Sequence, residues 1–174
     1  LNGVYKMGLN RMLFKNSKKD DFILYLERTI KTFKDDNIDS IGSYAFRNCS
    51  SLTSIYLPDV TSIGSYAFDY CSSLTSIDLP NVTNIGSNAF YYCSSLTSID
   101  LPKVTSIGSC AFDYCSSLTS IDLPNVTSIG SYAFRNCSSL TSIHFAAKNK
   151  ETIEALSGFS SKFGATKATI YFDL

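Results

Sequence analysis

From residue 41 to residue 145 the apolar positions of this chain recur every 22 residues. Ile41, Ile63, Ile85, Ile107 and Ile129 each open a copy, and the copy from Ile63 reads IGSYAFDYCSSLTSIDLPNVTN. A fixed period of this length with leucines at matching places predicts a solenoid, one supersecondary unit stacked on its neighbours. In the unit from Leu52 to Ser73, the spacing of Leu52, Ile55 and Leu57 puts Ile55 and Leu57 on one face of a short strand. Pro58 ends that strand because it has no N–H to donate. Val60 and Ile63 return to the core, and Gly64 permits a turn. Ser65 then reads as the N-cap of a single helical turn that carries Ala67 and Phe68 inward, with Cys71 closing the coil. The predicted fold is a repeat solenoid of leucine-rich type: a right-handed α/β coil with a concave parallel sheet and short helical turns.

One such unit buries too few side chains to offset the entropy of ordering its backbone, so it stands only in a stack. The stack needs a cover at each end. Ile30, Phe33 and Ile38 precede Leu52, Ile55 and Val60 by one period, which marks a degenerate first coil over residues 30–40. Before it, Asp20 or Asp21 is positioned to cap a helix with Phe22, Ile23, Leu26 and Ile30 on its apolar side. After the last regular strand at Ile143 and Phe145, Asn149 is expected to cap a helix bearing Ile153 and Leu156, stopped by Gly158. The closing ATIYFDL alternates inward Ile170 and Phe172 with Thr169 and Tyr171, as an edge strand would. The organisation is therefore a lead, cap and first coil over 1–40, five repeats over 41–145, and a helix–strand cap over 146–174.

The 174 residues suffice for one sizeable core, and 44% of them are hydrophobic. Lys+Arg and Asp+Glu balance at 15 each, which removes the broad basic footprint of a nucleic-acid binder. Charge is nonetheless segregated. A basic lead with Lys6, Arg11, Lys15, Lys18 and Lys19 precedes an acidic repeat body, and it reads as a solvated segment rather than an anion-binding arm. No stretch approaches the roughly 18 apolar residues that cross a bilayer, so this segment is not expected to insert in a membrane. The chain begins at Leu1 rather than Met, the expected sign of a fragment or processed product.

The unit AF-x-x-C-x-x-L-x-x-I-x-L-P, as in Ala67, Phe68, Cys71, Leu74, Ile77, Leu79 and Pro80, resembles the BspA-like class of leucine-rich repeats over about residues 30–145. The ending from His144 to FGATKATIYFDL is similar to the terminal cap of such proteins in gut bacteria and their phages. The resemblance implies adhesion, matrix or host-protein binding, or aggregation between cells. It brings no catalytic residues, and fold alone does not choose the partner.

Cys49, Cys71, Cys93, Cys115 and Cys137 share one repeat position and form a ladder. Parallel side chains at strand spacing sit too far apart for relaxed disulfides, so they read as buried, reduced thiols acting as small core groups. With no C-x-x-C pair they do not suggest a metal site. Cys110 takes the place held by Tyr44, Tyr66, Asn88 and Tyr132, a variable position expected to face solvent. Tyr56, Asp78, Asp100, Asp122 and His144 point opposite to the core-facing Ile and Leu, which makes them the candidate ligand stripe on the concave sheet. Such a stripe suits a cation, a basic segment of a partner or sugar hydroxyls, or it simply keeps the sheet wet. Tyr70, Tyr91, Tyr92 and Tyr114 form a second candidate surface, aromatic and suited to protein or carbohydrate recognition. Stacking purely for stability is the competing reading.

His144 is the sole histidine and stands away from every cysteine, and the glycines form no phosphate loop. The sequons at Asn48, Asn81, Asn125 and Asn136 recur because the repeat recurs. The sequence thus points away from enzymes and cofactors. It points to a binding module of a bacterial cell-surface protein, with a protein or glycan of another cell or host as partner. A phage virion part used in host recognition and a passive structural spacer are the alternatives.

Overall fold

The computed structural model describes residues 30–34 and 38–173. The basic lead and the helix expected from Asp20 or Asp21 lie outside those residues, save for Ile30 at its end, which packs against the core. Each coil contributes two short strands, except the one around Asp100, which contributes only the second. One set comprises β1 (Thr32–Lys34), β3 (Ser54–Tyr56), β5 (Ser76–Asp78), β8 (Ser120–Leu123) and β10 (Ser142–Phe145); the other comprises β2 (Ser40–Ile41), β4 (Ser62–Ile63), β6 (Asn84–Ile85), β7 (Ser106–Ile107) and β9 (Ser128–Ile129). All pair in parallel at one-period register: Phe33 lies against Ile55, Ile55 against Ile77, and Ile41 against Ile63. A parallel stack follows from the repeat itself, because identical turns return each strand beside its predecessor in the same direction.

The second set was not expected as a strand. It forms one continuous sheet in the order β2-β4-β6-β7-β9. The first set is divided into β1-β3-β5 and β11-β10-β8, where β11 is Thr169–Phe172. Between these halves only a single bridge, Asp78 to Asp100, is formed. Threonines staple both sheets. Thr75 Oγ1 donates to the Thr53 carbonyl at 3.0 Å, and Thr83 Oγ1 to the Thr61 carbonyl at 3.1 Å.

The third side of each coil is built from turns, and here the expected helical turn after Ser65 does not form. The N–H groups of Ala67, Asp69 and Cys71 close local turns onto Gly64, Tyr66 and Phe68. Those of Tyr66, Phe68 and Tyr70 instead donate to Ser87, Ala89 and Tyr91 of the next coil at 3.0, 2.7 and 2.8 Å. A helix would turn every N–H inward along its own segment and leave the neighbouring coil's carbonyls unpaired, so stacking wins. The alternation requires left-handed residues, and Tyr66 and Tyr70 both sit at φ 58°. Glycine is needed where the coils touch: a Cβ on Gly86 would lie 2.6 Å from Ser65 N.

The core is a set of columns. Phe46, Phe68, Phe90, Phe112 and Phe134 stack with centroids 5.1 to 5.5 Å apart and planes within 9°. The leucines Leu74, Leu96 and Leu118 are fully buried beside them. At the C-terminal end, a 3-10 turn at Ala147–Asn149 leads into α1 (Lys150–Glu154), whose Ile153 is fully buried. Asn149 stands at the N-cap, but its side chain makes no capping bond. Its Nδ2 donates to Pro124 and Val126 of the preceding coil, continuing a spine in which Asn81 and Asn125 hold Pro58 and Pro102. Phe163, at φ 53°, offers its carbonyl to Phe134 N–H at 2.9 Å, standing where the next coil would be. β11 pairs with β10 as the terminal strand, with Ile170 and Phe172 half-buried.

Candidate functional site

The outward row of the first sheet is in register. Lys34 lies against Tyr56, Tyr56 against Asp78 and Asp78 against Asp100; further on, Asp122 lies against His144 and His144 against Tyr171. Asp78, Asp100 and Asp122 are exposed. Among the described residues none of the three has an ion-pair partner. Three carboxylates at strand spacing repel by somewhat under ~1 kcal/mol per neighbouring pair in water.

The ends of the row are engaged. The Lys34 ammonium sits 4.7 Å from the Tyr56 ring centroid, and the His144 ring stacks on Tyr171 at 4.8 Å while its Nδ1 lies 2.9 Å from Asp173 Oδ1. His144 therefore belongs as much to the C-terminal cover as to the stripe. Tyr56 and Asp78 border a shallow depression of about 370 Å³, lined also by Thr32, Ser54 and Ser76 and by the core-side Phe33, Ile55 and Ile77.

The second surface lies on the turn side. Tyr70, Tyr92 and Tyr114 stack at 4.9 and 4.8 Å, and Tyr91 meets Tyr70 and Tyr114 edge-on at 5.7 and 5.9 Å. Burial and then the neighbouring Tyr70, Asp113 and Tyr114 push the Tyr91 hydroxyl above its ordinary pKa, with Arg135 opposing. Arg47 and Arg135 close the two ends of this patch, and their guanidinium groups lie 5.7 and 5.3 Å from the ring centroids of Tyr44 and Tyr132.

A scan against protein families matches the BspA type leucine rich repeat region to residues 39–162, in six copies. The chain belongs to this family. The match runs past Phe145, where the five regular units end, to residue 162. A crystal structure of a T. pallidum leucine-rich repeat protein is 31% identical with a TM-score of 0.70, covering 83% of this chain and 70% of its own. A leucine-rich repeat protein of Bacteroides ovatus is 28% identical, TM-score 0.61, and one of Eubacterium ventriosum is 27% identical, TM-score 0.59. This chain spans only 37% and 32% of those two. A search of curated proteins found no match.

Within this BspA-type stack the cysteine ladder is structural. The Sγ of Cys71, Cys93, Cys115 and Cys137 donate to the carbonyls of Phe46, Phe68, Phe90 and Phe112 at 3.0 to 3.2 Å. Burial raises their pKa values, that of Cys137 to about 12, which keeps these thiols protonated at neutral pH. Cys110 is half-exposed at φ 54°.

Sequence reasoning passed over Asp69 and Asp113, buried at 2% and 0% exposure. Arg47 Nε bonds Asp69 at 2.9 Å, and Arg135 bonds Asp113 through Nε at 3.0 Å and through Nη2, with Asn136 Nδ2 adding a third contact. The available signal was an acid placed one period from an arginine in the AF-x-x-C segment.

Proposed function

We propose that this chain is a non-enzymatic binding module of a bacterial cell-surface protein, recognising a protein or glycan of another cell or host. The ligand surface is the outward row from Tyr56 through Asp78, Asp100 and Asp122 to His144. The observation that carries the reading is the exposed state of the three aspartates, none with an ion-pair partner among the described residues, with Asp78 bordering a shallow depression. Fixed negative charge at regular spacing is complementary to a basic segment of a partner, and it steers such a partner from a distance. The tyrosine patch offers contact area with little rotamer entropy to lose.

The test compares the whole chain with a variant carrying Asp78→Lys, Asp100→Lys and Asp122→Lys on host-protein and glycan arrays. Partners bound by the wild type are expected to be lost by the variant while its circular dichroism is kept. Undiminished binding by the variant would remove the stripe as the ligand surface. A wild type that binds nothing would favour a passive spacer.

A further inference from the structure

The tyrosine ladder is built at positions where tyrosine is a poor backbone choice. Tyr70, Tyr92 and Tyr114 stand at φ 58°, 60° and 62°. This left-handed region is one that asparagine and glycine enter most easily. Asparagine itself holds the two ends of the same column, Asn48 and Asn136, with the same backbone at φ 61° and 59°. The rings do not recover that strain by burial, since they remain 42%, 36% and 37% exposed. Mutual stacking covers both faces of Tyr92 and one face each of Tyr70 and Tyr114. A row whose rings turn most of their faces on one another is better suited to meeting other aromatic edges than to stacking on a sugar. Strain maintained at an exposed site is a reason to look for a contact.

The column also reads the same from either end. Asn48, Tyr70, Tyr92, Tyr114 and Asn136 are symmetric about the third coil, and so are Arg47, Asp69, Tyr91, Asp113 and Arg135. Each arginine is neutralised by an aspartate of the adjacent coil, so the patch carries no net charge to repel a copy of itself. An isologous dimer needs a patch that is its own complement under a two-fold axis.

We propose that the ladder is the contact face of an antiparallel dimer of this chain. Tyr92 lies on the two-fold axis, and Tyr70 is set against the second copy's Tyr114. Five coils at strand spacing make the contact about 20 Å long, a footprint at the small end of specific interfaces, and the dimer is correspondingly weak.

Sedimentation velocity on the full chain tests this, with a dissociation constant of roughly 10–100 μM expected. Tyr92→Asn inserts the residue the column already uses, so the fold should survive while dimerisation weakens at least about tenfold. A second arm reads orientation: Tyr92→Cys in a Cys110→Ser background should form an intermolecular disulfide on mild oxidation, because only a two-fold axis there brings residue 92 to itself. A wild type that stays monomeric to about 1 mM overturns the proposal. So does undiminished dimerisation of Tyr92→Asn, or failure of Tyr92→Cys to cross-link.

Discussion

Arg47 Nε lies 2.9 Å from Asp69 Oδ2 one coil further on, while the other oxygen of that buried carboxylate has no hydrogen-bond partner among the described residues. Burial raises the Asp69 pKa, and the hydrogen bond and charge of Arg47 only partly offset the effect. A carboxyl whose folded pKa exceeds its unfolded value binds its proton more tightly in the native state. Its contribution therefore favours folding in acid and falls as pH rises from the unfolded pKa through the raised folded one. At neutral pH the ionised Asp69 is a net burden. Asp69→Asn should raise the melting temperature at pH 7 and change little near pH 3, where Asp69 is already protonated. Melts followed by circular dichroism at both pH values decide this, and a lower melting temperature at pH 7 would mean that the ion pair outweighs desolvation.

Gly86 packs directly against the backbone of the preceding coil. Since a Cβ there would meet Ser65 N at 2.6 Å and Gly64 C at 2.7 Å, both rigid backbone, Gly86→Ala should cost about 1–3 kcal/mol. Urea titration measures it. The same substitution would be nearly neutral if the coils slid apart to admit a methyl group.

The first sheet is interrupted where the three aspartates stack. The staple from Thr97 Oγ1 to the Thr75 carbonyl lengthens to 3.5 Å, against 3.0 Å for Thr75 to Thr53. We attribute the loosening to repulsion along Asp78, Asp100 and Asp122. Asp100→Asn should slow amide exchange around Ile99 and raise stability by under ~1 kcal/mol, an effect that fades near 1 M salt. Unchanged exchange would assign the interruption to packing instead.

The cysteines separate by accessibility. One thiol, Cys110, should label in the native protein. It should label slowly at neutral pH, because burial and then Asp113 raise its pKa while Arg135 opposes. The rate should still be climbing above about pH 9. The five ladder thiols should label only after denaturation, counted by mass spectrometry.

The period, the strand at Ser54–Tyr56, the inward Phe and Cys columns and the terminal strand were legible in the sequence, because burial repeats wherever the residue pattern repeats. The second strand was signalled too: T-S-I at Thr53–Ile55 comes again at Thr61–Ile63, and the pair recurs along the repeats with T-N-I at Thr83–Ile85 as a variant. A two-residue strand is too short for alternation to reveal, and only its neighbours' hydrogen bonds define it. The candidate stripe and tyrosine ladder were visible as columns. The engagement of His144 by Asp173 was not, since those residues come from different parts of the chain.

By itself the sequence determined that equivalent residues stack one above another, since a repeated unit with an apolar face can bury it only against its own copy. The stack itself decided the backbone on the turn side. Alternate N–H groups must serve the next coil, and that requirement places tyrosines in left-handed conformation where local propensity favours a helical turn. It also decided which acids are buried beside arginine and which stand free, because that depends on neighbours one period away.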